Sequence, residues 1–199
     1  VNLTPQPMKK LLSFLLITMM TLVGCGQGFD QKATPKKGEK TAILTTSKGE
    51  IKIRLFEDQA PETVKNFVSL SEEGKYDGTI FHRSVKDFVI QGGDFTKRDG
   101  SGGHSYKGPG TTIEDEISPE LSHIRGAVSM ANKGPGTDTA GSQFFIVLPE
   151  DGTLFLDGGY AVFGQVYEGM DVVDEIAAVE TDAGDHPLEE MEIKKVEIK

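Results

Sequence analysis

The chain contains no tryptophan, one cysteine and four histidines among 199 residues. A lone cysteine excludes an internal disulfide and any zinc site built on paired thiolates, so the fold must rest on its buried core. His82, His104, His123 and His186 show no metal-ligand spacing with Cys25 or with carboxylates, and neither a metal nor a cofactor is expected. Basic residues are scarce relative to acids, 21 Lys and Arg against 31 Asp and Glu, for a formal net charge of −10. That surface repels nucleic acid and anionic lipid headgroups, which excludes a nucleic-acid partner. Long hydrophobic runs are absent too: Leu11 to Val23 is apolar apart from Ser and Thr, and is too short to span a bilayer as a helix. What is abundant is glycine, 24 residues, which favours a turn-rich β architecture over a helical bundle.

The N-terminus reads as a separate object. Met8-Lys9-Lys10 is a basic start, Leu11 to Val23 is a short apolar region, and Leu22-Val23-Gly24-Cys25 places a small residue before a cysteine. This is the layout of a secretory signal peptide over residues 1–24, with Met8 as the expected natural start. Cys25 sits as in a bacterial lipoprotein lipobox, so lipidation of its thiol and cleavage after Gly24 are expected. A diacylglyceryl group carries two acyl chains, and two chains anchor stably. Losing residues 1–24 removes Lys9 and Lys10 and leaves 19 basic against 31 acidic residues, about −12. Attachment would come from the lipid with no help from a basic patch. Gly26 to Lys40 is polar and interrupted by Gly and Pro; residues 25–40 are expected to be a lipidated cysteine and flexible tether with a reach of roughly 20 Å.

The remainder, residues 41–199, reads as one domain. Ala42–Thr46 and Glu50–Phe56 are β-rich and flank the turn signal Ser47-Lys48-Gly49, a hairpin. Pro61 opens a helix with Val64, Phe67, Val68 and Ser71 at helical spacing, and Gly74 ends it. Short strands are expected near Thr79–Phe81, Phe88–Gln91, Ala127–Ala131, Gln143–Val147 and Ala161–Val166. A second helix is expected over about Met170–Val179, and a closing strand over Met191–Ile198. Many short strands with two helices suggest a closed antiparallel barrel.

Two stretches stand out, Phe81–Phe95 (FHRSVKDFVIQGGDF) and Ser129–Ile146 (SMANKGPGTDTAGSQFFI). Each mixes aromatics, amides, glycines and basic residues in an order that core packing does not demand. Together they resemble the signature of the cyclophilin family of peptidyl-prolyl cis-trans isomerases, over about Thr41 to Lys199. The resemblance implies a mainly β fold: an eight-stranded closed antiparallel barrel, a helix over each open end, and an active site on the outer face. It also implies proline-containing polypeptides as partners. A monomer is expected.

An X-Pro bond turns over a barrier near 20 kcal/mol, set by lost amide resonance. Its isomerisation needs no nucleophile, metal or redox group. It needs an apolar slot for the ring, clamps on the backbone and a donor that favours the twisted amide. The resemblance puts Arg83 in the catalytic position, where a guanidinium can donate to the prolyl nitrogen once twisting restores its lone pair. Phe88, Val89, Phe145 and Leu156 match the family's proline pocket. Gln91 and Asn132 match residues that bond the substrate backbone and hold Arg83. Ala131 lines the groove and Gln143 contacts the chain before proline. Gly100 lies in Asp99–Gly103, which matches the family's Gly-rich loop and lacks the Lys-Ser/Thr and helix of a phosphate loop.

Departures from the family pattern are equally specific. Phe155 stands where many relatives carry Trp, keeping an aromatic platform without the indole N–H and putting cyclosporin sensitivity in doubt. Tyr160 occupies a position that is His in many relatives, Val89 one where methionine is common, and Lys133 replaces a small residue. Glu114-Asp115-Glu116 reads as a solvated acidic loop, and Ser142 lacks a nucleophile elbow, which excludes a serine hydrolase. The expected function is a membrane-anchored isomerase outside the cytoplasm, assisting the folding of exported proteins. The alternative is a proline-peptide binding module or holdase with little turnover.

Overall fold

The computed structural model describes Val1 and residues 29–199. The expected signal peptide and Cys25 lie outside the described residues. Eight strands close into one antiparallel barrel: β1 (Thr41–Thr46), β2 (Glu50–Leu55), β3 (Thr79–Val85), β4 (Val89–Gly92), β5 (Ala127–Met130), β6 (Phe144–Val147), β7 (Val162–Glu168) and β8 (Glu192–Ile198). Their order around the barrel is β1-β2-β7-β5-β6-β4-β3-β8, with β8 returning to β1. Every expected strand is present, and closure removes the exposed edges that an open sheet would leave.

Strand alternation sets up two cores. Phe144 points inward and packs with Phe67, Tyr76 and Phe81 at centroid distances of 5.7, 5.7 and 6.3 Å. Its neighbour Phe145 points outward into a second cluster with Phe56, Val89, Ala127 and Val162. Helix α1 (Pro61–Glu72) sends Val64, Phe67 and Leu70 into the inner core, and α2 (Met170–Ala177) sends Val173 and Ile176. Helix α1 stops where expected: Lys75 N–H returns to the Leu70 carbonyl and Gly74 takes a φ of +68°, the left-handed close of a helix end. Helix α2 is shorter than expected, ending at Ala177. A 3-10 turn, Leu154–Leu156, was not expected from the sequence.

Two expectations change. Residues 29–40, read as the second part of a free tether, lie against the barrel. Gln31 is buried, and Phe29 packs edge-on against Phe56 at 5.2 Å. The sequence pattern is polar, but the Gln31 amide, the Phe29 ring and the ion pair of Glu39 with Arg54 dock it. The segment Glu114-Asp115-Glu116 is not simply solvated. Glu116 accepts hydrogen bonds from the backbone N–H groups of Glu62 and Thr63 at 3.1 and 2.6 Å. It thereby caps α1, whose own N-cap residue, Ala60, has no side chain able to do so.

Candidate active site

The strands β3, β4, β6 and β5 are neighbours, and their outward residues form one face. A β-bulge decides what that face carries. Phe81 pairs with Gly92 and Arg83 with Gln91, so β3 spends one extra residue between them. Strict alternation would turn Arg83 to the same side as the buried Phe81. The bulge turns it outward, with a side-chain exposure of 38%.

Arg83, Phe88, Val89, Gln91, Ala131, Asn132, Phe145, Leu156 and Tyr160 line a cavity of about 170 Å³. All nine were singled out in the sequence. Phe145 forms its floor, with Tyr160 edge-on at 5.8 Å. A second hollow adjoins it, lined by Gly100–Gly103, Lys133, Thr139 and Gln143, and shares Gln91, Ala131 and Asn132 with the first. Gly100 and Gln143 therefore belong to the second hollow. Phe155 lines neither. It is 77% exposed and stacks on Phe88 at 5.8 Å with the rings 10° apart, extending the apolar wall outward.

The polar groups form one chain. The Arg83 Nη1 donates to Gln91 Oε1 at 3.5 Å, Gln91 Nε2 to Gln143 Oε1 at 3.0 Å, and Gln143 Nε2 to the carbonyls of Gly100 and Gly102 at 2.9 and 2.8 Å. Arg83 Nε also lies 3.8 Å from Asp185 Oδ2. Of the amides expected to hold Arg83, Gln91 does. Asn132 does not: its Nδ2 donates to Asp115 Oδ1 and the Gly159 carbonyl at 3.0 and 3.1 Å, and its Oδ1 accepts from Gly134 N–H. The Asn132 side chain braces the groove wall, because the chain crossing behind it supplies nearer partners than the guanidinium does.

The Gly-rich loop is built around Asp94. One carboxylate oxygen accepts from the N–H groups of Thr96 and Lys97, both at 3.0 Å, and the other from those of Gly100 and Gly102 at 3.0 and 2.9 Å. Burial pushes the Asp94 carboxyl up, but the hydrogen bonds from Lys97, Gly102 and Thr96 outweigh it and hold it below the usual carboxylate range. A Cβ on Gly102 would fall 2.0 Å from Thr96 Oγ1 and 2.7 Å from Asp94 Oδ1, so only glycine closes this turn. His82 packs under the same loop. Burial lowers its pKa, with Asp94 partly opposing.

A further group escaped the sequence reading. His123 lies beneath the pocket, 1% exposed, its ring stacked on Phe145 at 5.8 Å and 15°. Its Nδ1 is 2.6 Å from Asp157 Oδ1 and its Nε2 3.0 Å from Ser129 Oγ. Burial lowers the His123 pKa against the opposing pull of Asp157, so the ring is neutral near pH 7, donating from Nδ1 to Asp157 and accepting from Ser129. The order Ser, His, Asp resembles a hydrolytic triad, but Ser129 is fully buried and can meet no substrate. His123 has no metal-ligand spacing in the sequence, and its partner Asp157 lies 34 residues away with no local signal joining them. Among the described residues no cluster of His, Cys, Asp or Glu could hold a metal ion, and no helix is long and apolar enough to cross a membrane.

Comparison with known proteins gives one family. The description "Cyclophilin type peptidyl-prolyl cis-trans isomerase/CLD" matches residues 41–198. Peptidyl-prolyl cis-trans isomerase 9 of Schizosaccharomyces pombe is 49% identical over 161 residues, covering 80% of this chain but only 25% of its own length. Peptidyl-prolyl cis-trans isomerase-like 1 of Neurospora crassa is 46% identical over 156 residues, covering 78% of this chain and 91% of its own. A crystal structure of a Cryptosporidium parvum cyclophilin-type peptidyl-prolyl cis-trans isomerase, in the presence of the dipeptide Ala-Pro, superposes with a TM-score of 0.74 at 38% identity. It covers 80% of this chain and 98% of that one.

Proposed function

We propose that this chain, which belongs to the cyclophilin-type peptidyl-prolyl cis-trans isomerase family, turns Xaa-Pro bonds of exported polypeptides from a site held close to a membrane. The isomerase activity is the family's own. The observation that carries it to named residues is the outward-facing Arg83 at the wall of a small apolar cavity floored by Phe145.

The geometry supports a mechanism by differential binding. The cavity, about 170 Å³, is below the range of about 300–1,000 Å³ usual for whole small-molecule ligands and suits a single ring. Phe88, Val89, Phe145 and Leu156 would take the pyrrolidine, while the second hollow takes the preceding residues. Arg83 is fixed by Gln91 and Asp185 on two of its nitrogens, which leaves other donors of its five N–H groups for the substrate. As the amide twists, conjugation is lost and the prolyl nitrogen becomes an acceptor. A charged donor already in place stabilises that state more than the planar ground state, and no proton leaves the arginine.

The test is a protease-coupled proline-peptide assay of the wild type and Arg83→Ala. The expected loss in kcat/KM is about 10²–10³-fold, the scale for removing one preorganised donor. Equal rates would overturn the role of Arg83. No turnover in either protein, with proline-peptide binding retained, would turn the reading to a binding module.

Membrane attachment is the second half of the proposal. It is supported by the sequence alone: Lys9-Lys10, the apolar Leu11–Val23 and Leu22-Val23-Gly24-Cys25. The cell-envelope location and exported clients follow from that reading.

A further inference from the structure

The family match begins at residue 41, and the structure carries an ordered segment before it. Residues 29–40 form a strap across the outer face of the barrel. Both ends are held by Arg54, a β2 residue only 6% exposed. Its guanidinium forks onto Glu39 through Nε and Nη2 at 2.7 and 2.9 Å and donates to the Asp30 carbonyl at 3.0 Å. The same group lies over the rings of Phe29 and Phe56 at 5.3 and 5.4 Å. Such a fork is rigid and planar, so it sets the strap's position as well as holding it.

The other contact reaches toward the active site. Gln31 is 8% exposed, and its amide makes a reciprocal pair with the backbone of Ser122. Its Nε2 donates to the Ser122 carbonyl at 2.8 Å, and its Oε1 accepts from the Ser122 N–H at 3.0 Å. It also donates to Gln165 Oε1 at 3.2 Å, and Gln165 Nε2 donates to the Arg125 carbonyl at 2.7 Å. The segment Ser122–Arg125 has no regular secondary structure of its own to place it. It is held from one side by these amides and from the other by Asp157, which accepts from the His123 backbone N–H at 2.8 Å, and by Thr153, whose N–H donates to the His123 carbonyl at 2.7 Å. Between the two clamps stands His123, whose ring lies against Phe145. Phe29 joins the same outer cluster through Phe56, and that cluster contains Phe145 and Val89.

We infer that the strap is a positioning device for the proline pocket, acting from Gln31 through Ser122 and His123 onto Phe145. Gln31 touches no substrate; it is a positioning residue for a site whose isomerase reading it presupposes. A buried amide bonded at both ends specifies one geometry, because any shift leaves a desolvated donor or acceptor unpaired. Without it the loop carrying His123 loses its strap-side clamp, and the pocket floor shifts in height.

The experiment compares wild type, Gln31→Ala and the milder Gln31→Asn in the full chain, with Lys32→Ala, an exposed strap residue, as control. The readouts are KM and kcat on a proline peptide and backbone amide NMR shifts. Gln31→Ala is expected to raise KM about threefold to tenfold with kcat within about twofold, the signature of lost uniform binding. The amide resonances of His123, Phe145 and Tyr160 should move, while those of Gly100–Gly103 stay. Gln31→Asn should fall between, and Lys32→Ala should match wild type. Shifts confined to the strap and Ser122 with KM unchanged, even if thermal stability falls, would overturn the inference and leave the strap a stabilising element. An unfolded Gln31→Ala leaves Gln31→Asn to decide, on the same criteria. Absence of turnover in the wild type would instead overturn the isomerase reading, and the NMR shifts would still test the strap.

Discussion

At the scale of single residues, the side chains that make this site are mostly ordinary ones in constrained company. Arg83, the proposed donor, is oriented by Gln91 at 3.5 Å and Asp185 at 3.8 Å, and Gln91 is held in turn by Gln143. His123 shows the same principle underneath the pocket. Its folded-state pKa lies below the ordinary value because burial disfavours the imidazolium. The unfolded chain therefore takes up a proton first as pH falls below about 6.5, and stability drops from there down through the folded pKa. His82 is shifted in the same direction and adds to the slope. Replacing His123 with Phe keeps a ring against Phe145 but leaves the Ser129 hydroxyl without its partner and Asp157 with the backbone N–H of residue 123 in place of the imidazole. Urea unfolding at pH 7 should show a loss of about 2 kcal/mol, the scale of one buried group left unpaired. The difference between pH 7 and pH 5 should shrink but not vanish, since His82 remains. An unchanged pH slope would show that His123 does not titrate differently on folding. Phe155 keeps the expected aromatic surface by stacking on Phe88 at the rim, outside both hollows.

At the scale of elements, function depends on irregularities. The bulge in β3 turns Arg83 outward, the 3-10 turn Leu154–Leu156 brings Leu156 to the pocket, and Asp94 shapes the Gly-rich loop. Asp94→Asn tests the last of these. Asn offers one acceptor oxygen where the loop requires two, and would point an NH₂ at backbone N–H groups. A loss of about 3 kcal/mol is expected, from charged hydrogen bonds worth roughly 1.5–3 kcal/mol each. KM for proline peptides should rise as the second hollow loosens. Denaturant unfolding with parallel kinetics checks both; a variant as stable as wild type would show that the loop is shaped by its glycines alone. Acid should act like this substitution, because the Asp94 contribution is present above its unfolded pKa and is lost as pH falls through the lowered folded one. The regular elements were legible because hydrophobic alternation and Pro or Gly punctuation are local signals, as in Glu50–Leu55 and Pro61–Gly74. The bulge was not, because a single extra residue in FHRSV has no signature until its partner strand is known.

At the scale of the molecule, the strap changes the relation between the barrel and its proposed anchor. A free tether of residues 26–40 would let the domain move roughly 20 Å from the membrane. With residues 29–40 docked, only Gly26–Gly28 separate Cys25 from the folded body, a span of about 10 Å at full extension. The barrel would sit at the membrane surface with its strap side nearest. Mass spectrometry of the mature N-terminus from membranes should find residue Cys25 first and carrying a diacylglyceryl group. A chain still beginning at Met8, with an unmodified thiol, would remove the anchor from the proposal.

The barrel's regular elements, the family and the nine residues that line the small cavity could all be read from the chain, because each is written in local periodicity or in the family's pattern. Tertiary structure alone decided what supports them. Arg54 meets Glu39 across the β1–β2 hairpin, while Gln31 with Ser122 and His123 with Asp157 are pairs brought together only by the folded chain. A hydrogen bond between residues 91 or 34 positions apart leaves no pattern in the chain, only in the space where the strands bring them together.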